Sequence, residues 1–338
     1  MSEKKQPATI KQIARQLNVS VSTVSRALHN HPSIGLRTKM RVQELAEQLQ
    51  YEPNQAAIHF KQKRTYIIGV VLPHLAEEFF SLAMNGIEDT AQQHRYSVLI
   101  GQSHNQTDRE QQITAAMRRN RVDGLLVSLA KNTTQYHHFK ELEDMGTPVV
   151  FFDREPTWPQ AWSVQTKLEE STYKLIYQLL AEGHRQIGFI QGPAHFSSMK
   201  ERLNGYTRAL QAYKIKPTNT LLVRTDLSSA ATTLAMEKLM ALKKPPTAVL
   251  CFNDYVAFDA IHAARQHYGN NLTMQFVSYA NLPVNRYVEH GLRASIDQFP
   301  YEQGKQAVEL LLQRLQNEER KPAEPLRIYL DSEIVMHA

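Results

Sequence analysis

The first side chains whose type and spacing promise chemistry are Val21, Ser22, Ser25 and Arg26, within the segment Thr9–Leu28. Apolar Ile10, Ile13, Ala14 and Leu17 recur there at helical spacing. Asn18 breaks the run, Val19 fills a turn, and Ser20 is placed to cap a second helix that carries Val24, Ala27 and Leu28 inward. Val21, Ser22, Ser25 and Arg26 are then left on the outer face of the second helix, close to its N-terminus. Short polar side chains and one arginine on such a face suit hydrogen bonding to base edges. Two short helices joined by a tight turn are the geometry of a helix-turn-helix that reads a major groove. In a helical hairpin that merely completed a larger core, that polar face would serve nothing.

Charge points the same way. Residues 1–65 hold eleven Lys or Arg and four acids, a net charge of +7, while the whole chain of 338 residues carries +6 and the remainder therefore −1. A basic head on a neutral body is what phosphate binding requires, because each neutralised phosphate releases counterions.

Enzyme chemistry finds little support. The chain has no Gly-x-Ser-x-Gly, no Gly-rich phosphate loop ending in Lys-Ser/Thr and no His-Glu-x-x-His. Its 14 histidines are scattered, and the adjacent pair His137-His138 reads as a helix surface. No catalytic residue, metal ligand or cofactor is expected. The single cysteine, Cys251, excludes an internal disulfide and suits a reducing cytoplasm. No run of eighteen apolar residues marks a membrane span, and the N-terminus lacks the apolar stretch of a signal peptide. A cytoplasmic protein of two to three domains is the expectation, associated with the nucleoid when bound to DNA.

The elements behind the head are α/β. Apolar β-branched runs alternate with helical patterns: 66–72 then 80–93, 97–101 then 108–120, 124–129 then 136–145, and 149–152. The series restarts with helical 172–182, followed by 187–191, 200–213, 221–224, 230–242, 248–252, 255–267, 276–279 and 300–316, with a last strand over 327–335. Such alternation implies parallel sheets with helices on both faces. Two series of similar length suggest two doubly wound subdomains with a ligand crevice at the carboxyl ends of their strands. Enzymes share this topology, so the fold alone does not choose a function.

The segment Thr9–Leu28, a third helix near 36–50 and Tyr51-Glu-Pro-Asn54 together resemble the DNA-binding head of the lac repressor/galactose repressor (LacI/GalR) family. The resemblance continues through Ile68–Pro73, Arg121–Leu125, Pro148–Asp153, Glu182–Ile187, Arg202–Tyr206, Pro246–Val249 with Asn253-Asp254, and Asp297–Gly304. It implies a small all-α helix-turn-helix head over residues 1–50, a hinge helix or linker over 51–65, and a periplasmic-binding-protein-like α/β body. The body is expected to hold one subdomain over 66–162 and 296–324 and another over 163–295 and 325–338, with crossings near Trp162, Ser295 and Pro325. It further implies a sequence-specific transcriptional regulator, most simply a repressor, that binds double-stranded palindromic operator DNA as a homodimer. The chain ends soon after its last strand and has no leucine-heptad tail that would make a tetramer. Control is expected from a small-molecule effector, a sugar or sugar derivative. The rival reading is a cytoplasmic sugar-binding protein or an enzyme of the same body fold.

Carried over residue by residue, the resemblance makes Val21 and Ser22 base readers and lets Arg26 reach a guanine or a phosphate. Thr23 and Ser25 make phosphate and packing contacts, and Thr9 joins the DNA-binding set. In the hinge it adds Asn54, with Ala57 keeping the helix slim and Phe60 in the place of the minor-groove wedge. In the crevice, Arg202 and Asn253 are the leading effector contacts. Asp153 ends one strand, Ser128 follows another and Gln298 lies by a crossover, while Phe79 or Phe80 stacks on an apolar face. The family's frequent crevice carboxylate is here Ala280, with Asn281 next to it. Its acidic residues near 164–170 are replaced at Lys167 and Leu168. Fewer carboxylates and an added lysine favour an acidic or phosphorylated effector, unless Lys167 is simply solvent-exposed.

Overall fold

A computed structural model describes residues 8–51, 64–288, 291–316 and 325–337. The chain divides into two compact units, Met1–Thr65 and Tyr66–Ala338.

The first unit is built from α1 (Ile10–Leu17), α2 (Val21–Leu28) and α3 (Leu36–Gln48). Thr9 caps α1, its Oγ1 accepting from the Gln12 N–H at 3.3 Å, and Asn18 ends the helix in the left-handed region at φ 51°. Ser20 then caps α2, its Oγ accepting from the Thr23 N–H at 3.0 Å. Each cap satisfies an amide that the helix itself leaves orphaned, so the tight turn between the helices is fixed locally. Ile13, Val24, Ala27 and Val42 are fully buried where the three helices meet. The expected third helix stops at Gln48, two residues short of the sequence reading.

The second unit holds two six-stranded sheets. In the first, β1 (Ile67–Leu72), β2 (Ser97–Gln102), β3 (Gly124–Val127), β4 (Val149–Phe152), β5 (Trp162–Thr166) and β11 (Arg327–Leu330) lie in the order β11-β5-β4-β3-β1-β2, all parallel. In the second, β6 (Ile187–Gln191), β7 (Leu222–Arg224), β8 (Ala248–Cys251), β9 (Gln275–Tyr279), β10 (Ala294–Asp297) and β12 (Glu333–Met336) lie in the order β12-β10-β9-β8-β6-β7, with only β12 antiparallel. Both sheets are doubly wound, and their strand order reverses beside β1 and β6, where such folds place ligands. One apolar core fills the second sheet's subdomain, and separate cores line the two faces of the first sheet.

The crossings between subdomains fall later than the sequence suggested. Residues 163–166 belong to β5 in the first sheet, so the chain leaves at 167–168 and not near Trp162. It returns after Gln298, since Ser295 lies inside β10 of the second sheet, and crosses last at 331–332, because β11 past Pro325 still pairs with β5. The expected single strand over 327–335 is thereby split into β11 and β12, one for each sheet. The three links are tied together: Thr166 Oγ1 donates to the Gln298 carbonyl at 3.1 Å, and Ser332 Oγ donates to the Lys167 carbonyl at 2.6 Å.

Two helix pairs pack at backbone distance. They are α4 (Glu78–Gln93) with α11 (Pro300–Gln316), and α7 (Glu169–Ala181) with α8 (Ser197–Ala212). A Cβ at Gly86 would overlap the Tyr301 carbonyl oxygen, and one at Gly304 that of Ala83. Among the described residues no helix is long and apolar enough to cross a membrane.

Candidate nucleic-acid interface and effector crevice

On α2, Val24 and Ala27 face the core, which leaves Val21 (41% exposed), Ser22 and Arg26 on the outside and Thr23 and Ser25 half-buried. The hydroxyls of Ser22 and Thr23 both lie 2.8 Å from Ser20 Oγ. The Ser22 hydroxyl is thus held by the cap, with further hydrogen-bonding capacity left for a partner. Arg26 makes no hydrogen bond or ion pair among the described residues, so its fork of donors is available to a phosphate or a guanine edge. Thr9 lies at the start of α1, exposed and committed to its cap. Asn54, Ala57 and Phe60 lie outside the described residues.

In the body, the strand ends of both sheets converge on one crevice. Phe79, Phe80, Asp153, Arg202, Asn253 and Gln298, all expected from the sequence, line it. Arg202 lies within α8, and the others are delivered by element ends. The two phenylalanines start α4, Asp153 follows β4 at φ 57°, Asn253 follows β8, and Gln298 follows β10. Asn253 is also the N-cap of α10 (Asp254–Tyr268), its Oδ1 accepting from the Val256 N–H at 2.9 Å. Backbone forced into the left-handed region recurs here, most sharply at Ala280 with φ 104°, a cost that persists only where the surroundings demand it.

Arg202 is the central cation of the second subdomain. It is 3% exposed, lies 4.4 Å from the Phe252 ring centroid and 4.1 Å from that of Tyr279, and donates through Nη1 to the Phe252 carbonyl at 2.8 Å. Its Nε is buried with no hydrogen-bond partner among the described residues. Burial lowers the guanidinium pKa against the opposing pull of Tyr279 and Asp153, and burial likewise raises the Asp153 carboxyl, opposed by Arg154 and Arg202. The Tyr279 hydroxyl, pushed up to about 12 by burial, lies 2.8 Å from Thr172 Oγ1.

Two expected residues do not reach the cavity wall. Ser128 sits just past β3, fully buried beside Asp153, and Asn281 donates to Asp297 Oδ2 at 2.9 Å. Lys167 is 58% exposed and pairs with Asp331 at 3.1 Å, which assigns it to the crossover and removes it as a sign of an acidic effector. The His137-His138 pair is not wholly surface. His138 is buried and its Nε2 lies 3.1 Å from Oε1 of the fully buried Glu110. Cys251 is a buried strand residue whose thiol pKa burial pushes up, the reverse of an activated nucleophile.

Sequence reasoning missed Glu77, Arg154 and Phe196, which also line the crevice. Arg154 follows Asp153 directly, and its guanidinium lies 5.3 Å from the Phe80 ring centroid and 5.0 Å from that of Phe196. The space left among these side chains is about 40 Å³, room for a water and none for a sugar. Arg154 lies two residues past the strand Val149–Phe152, and nothing in the sequence says that Phe196 meets it.

A helix-turn-helix head and a two-subdomain α/β body with a polar, aromatic-walled crevice define a DNA-binding class of protein. Comparison with known proteins gives the family. Residues 9–54 match the model for bacterial regulatory proteins of the lacI family, and residues 68–319 match the periplasmic binding protein domain. The chain is 30% identical over 321 residues to the HTH-type transcriptional repressor CytR of Escherichia coli K12, covering 94% of this chain and 93% of that one. It is 29% identical over 313 residues to catabolite control protein A of Priestia megaterium, covering 92% and 93%. In structure it resembles the lac repressor dimer bound to operator and the anti-inducer ONPF, with TM-score 0.81, 24% identity and 98% of each chain covered. The protein belongs to the lacI family and is a DNA-binding transcriptional regulator. The relatives it matches include HTH-type transcriptional repressors and none of those named is an enzyme.

Proposed function

We propose that the protein is a repressor that binds a two-fold symmetric operator as a homodimer and responds to a small sugar or sugar derivative in the crevice of its body. The observation that carries this reading is the convergence of Arg202, Asn253, Asp153 and Gln298 at the strand ends of two doubly wound sheets, in a chain whose head exposes Val21, Ser22 and Arg26. One helix-turn-helix contacts too few bases for specificity, so two copies reading two half-sites are required. The edge strand β2 supports this by leaving Leu99 and Ile100 each 36% exposed, an apolar margin suited to burial against a second copy. Asn54, Ala57 and Phe60 complete the DNA-binding set by their place in the family pattern, with Phe60 as the apolar wedge. Such a regulator works in the cytoplasm, at the nucleoid when on its operator.

The effector acts through differential binding to two arrangements of the subdomains, which is all that coupling to operator affinity requires. The test uses the full chain, with gel shifts on operator and random DNA and calorimetry against a panel of sugars, sugar phosphates and glycosides. Arg26→Ala is expected to lose discrimination of operator from random DNA while keeping effector binding. Arg202→Ala is expected to keep operator binding and weaken the effector by tenfold or more, about 1.4 kcal/mol. An Arg26→Ala protein that still discriminates its operator, or an effector indifferent to Arg202, would overturn the corresponding half of the reading.

A further inference from the structure

His74 and His104 meet at the carboxyl ends of the neighbouring strands β1 and β2, and neither lines the crevice cavity. Leu72 pairs with Gln102 at the end of the ladder, so the two histidines occupy matching positions two residues past it. Their Nδ1 atoms stand 3.2 Å apart, with ring centroids at 4.6 Å and ring planes at 70°. Both residues are half-buried. The backbone beneath them is pinned. The Ser103 N–H donates to the Leu72 carbonyl and the His104 N–H to that of Pro73, each at 2.9 Å, and the Leu75 N–H donates to Gln102 Oε1 at 2.9 Å. His104 and Asn105 are both held in the left-handed region, at φ 49° and 58°. Even for His and Asn this costs free energy, and two such residues in a row mark a place where the fold aims a side chain.

Two facing imidazole nitrogens can share one proton, one ring donating and the other accepting. The same spacing suits a metal ion in the proton's place. Two nitrogens each about 2.0–2.1 Å from a tetrahedral zinc ion stand about 3.3–3.4 Å apart, close to the separation of this pair. Burial first, then the charges of Arg109 and His74, hold the His104 ring below the usual histidine range, which keeps it neutral with a lone pair to give. We propose that His74 and His104 form a chelating site for a divalent transition-metal ion that prefers imidazole nitrogen, such as zinc. Among the described residues no cluster of three or more His, Cys, Asp or Glu is arranged to hold a metal, so the protein supplies two ligands and water completes the shell. Magnesium, which takes oxygen ligands, is refused. The ion replaces one weak hydrogen bond by two coordinate bonds and so locks the loop after β2 to the loop after β1. Asn105, next in that loop, accepts from the Lys131 N–H at 3.2 Å and from Arg154 Nη1 at 2.7 Å, so the ion braces an anchor of the crevice rim. Arg109, exposed in the helix Thr107–Arg119, opposes the ion by its charge and limits the affinity.

The probe is zinc chloride, with magnesium chloride as a control of equal charge, titrated by calorimetry into the full-length chain without a histidine tag. Wild type is compared with His74→Asn and His104→Asn. Asparagine tolerates the left-handed backbone and still hydrogen-bonds to the remaining ring, so the fold keeps its tie and loses only the chelate. Each variant is expected to lose this site or bind zinc there about tenfold or more weakly than wild type, over a background from other surface histidines common to all three proteins. Magnesium is expected to give no heat of binding. Arg109→Gln is expected to tighten zinc about two- to fivefold, because an opposing surface charge is removed. Amide exchange over residues 103–106 is expected to slow on adding zinc to wild type and not to either variant. If a variant does not fold, labelling of wild type with diethyl pyrocarbonate answers the same question, since zinc should protect His74 and His104 together. Equal zinc affinity in wild type and variants, a loss in only one variant, magnesium binding as well as zinc, or no protection of the pair would each overturn the site. Exchange over 103–106 that bound zinc leaves unchanged would overturn the bracing of the rim.

Discussion

Arg202 and Asp254 are buried charges with opposite books of partners. Asp254 is fully buried and accepts from four donors: Ser278 Oγ, Ser295 Oγ at 2.7 Å, the Leu282 N–H at 2.7 Å and Asn285 Nδ2 at 2.8 Å. Burial raises its pKa and these bonds oppose the rise. They join α10 to β9, β10 and the turn after β9, so Asp254 is a structural knot although it adjoins the crevice residue Asn253. Among the described residues Arg202 has one carbonyl, two ring faces and an unpartnered Nε. A buried charge left short of acceptors is the better ligand candidate, since a ligand supplies what the fold withholds. Asp254→Ala orphans four donors and is expected to cost about 3 kcal/mol or more in stability. Chemical denaturation of the full chain measures this, and a loss below about 1 kcal/mol would mean that the donors find other partners. At this scale the sequence exposed Arg202, Asn253, Asp153 and Gln298, because each sits in a recognisable segment. Glu77, Arg154 and Phe196 stayed hidden because they line a site only after three separate strand ends converge.

At the scale of elements, local signals were legible and shared ones were not. Thr9, Asn18 and Ser20 act within their own turns, so the head helices could be read from the chain alone. The strands β5 and β10 were missed and β11 and β12 were merged, because these segments are short and lie at the crossovers. There, partners outside the segment decide which sheet each joins, as Ser163 pairs with Arg327 in the first sheet and Ile296 with Ile334 in the second. Gly304 shows the same dependence on a distant partner. On an isolated helix, Gly304→Ala gains about 1 kcal/mol in propensity. Here the new Cβ meets the Ala83 carbonyl of α4, backbone that cannot rotate aside as a side chain would. Overpacking of that kind costs about 1–3 kcal/mol, so the net expectation is a lower melting temperature. A neutral or stabilised Gly304→Ala would show that α4 and α11 slide apart freely.

For the whole molecule, the body's two subdomains meet through an apolar contact, Ala280 and Leu282 in one core with Phe79 and Phe80, and through polar contacts at the crevice rim. Lys131, after β3, donates through Nζ to the Asp226 carbonyl at 2.8 Å and lies 3.7 Å from its carboxylate, after β7. The Tyr255 hydroxyl accepts from the Glu78 N–H at 3.4 Å. Asn105 Oδ1 accepts from both the Lys131 N–H, at 3.2 Å, and Arg154, so the rim contact and the crevice wall share one anchor. A partly exposed pair of this kind is worth about 0.5–1 kcal/mol, against several for either apolar core. Lys131→Ala is therefore expected to shift the ratio of closed to open bodies by about two- to fivefold without changing the stability of either sheet. Amide exchange in the loops at 73–77 and 192–196 should speed by that factor. Operator affinity should move by no more than the same factor, because coupling cannot exceed the shift that drives it. Faster exchange with unchanged operator affinity would separate closure of the body from DNA binding and remove the crevice from the path of control.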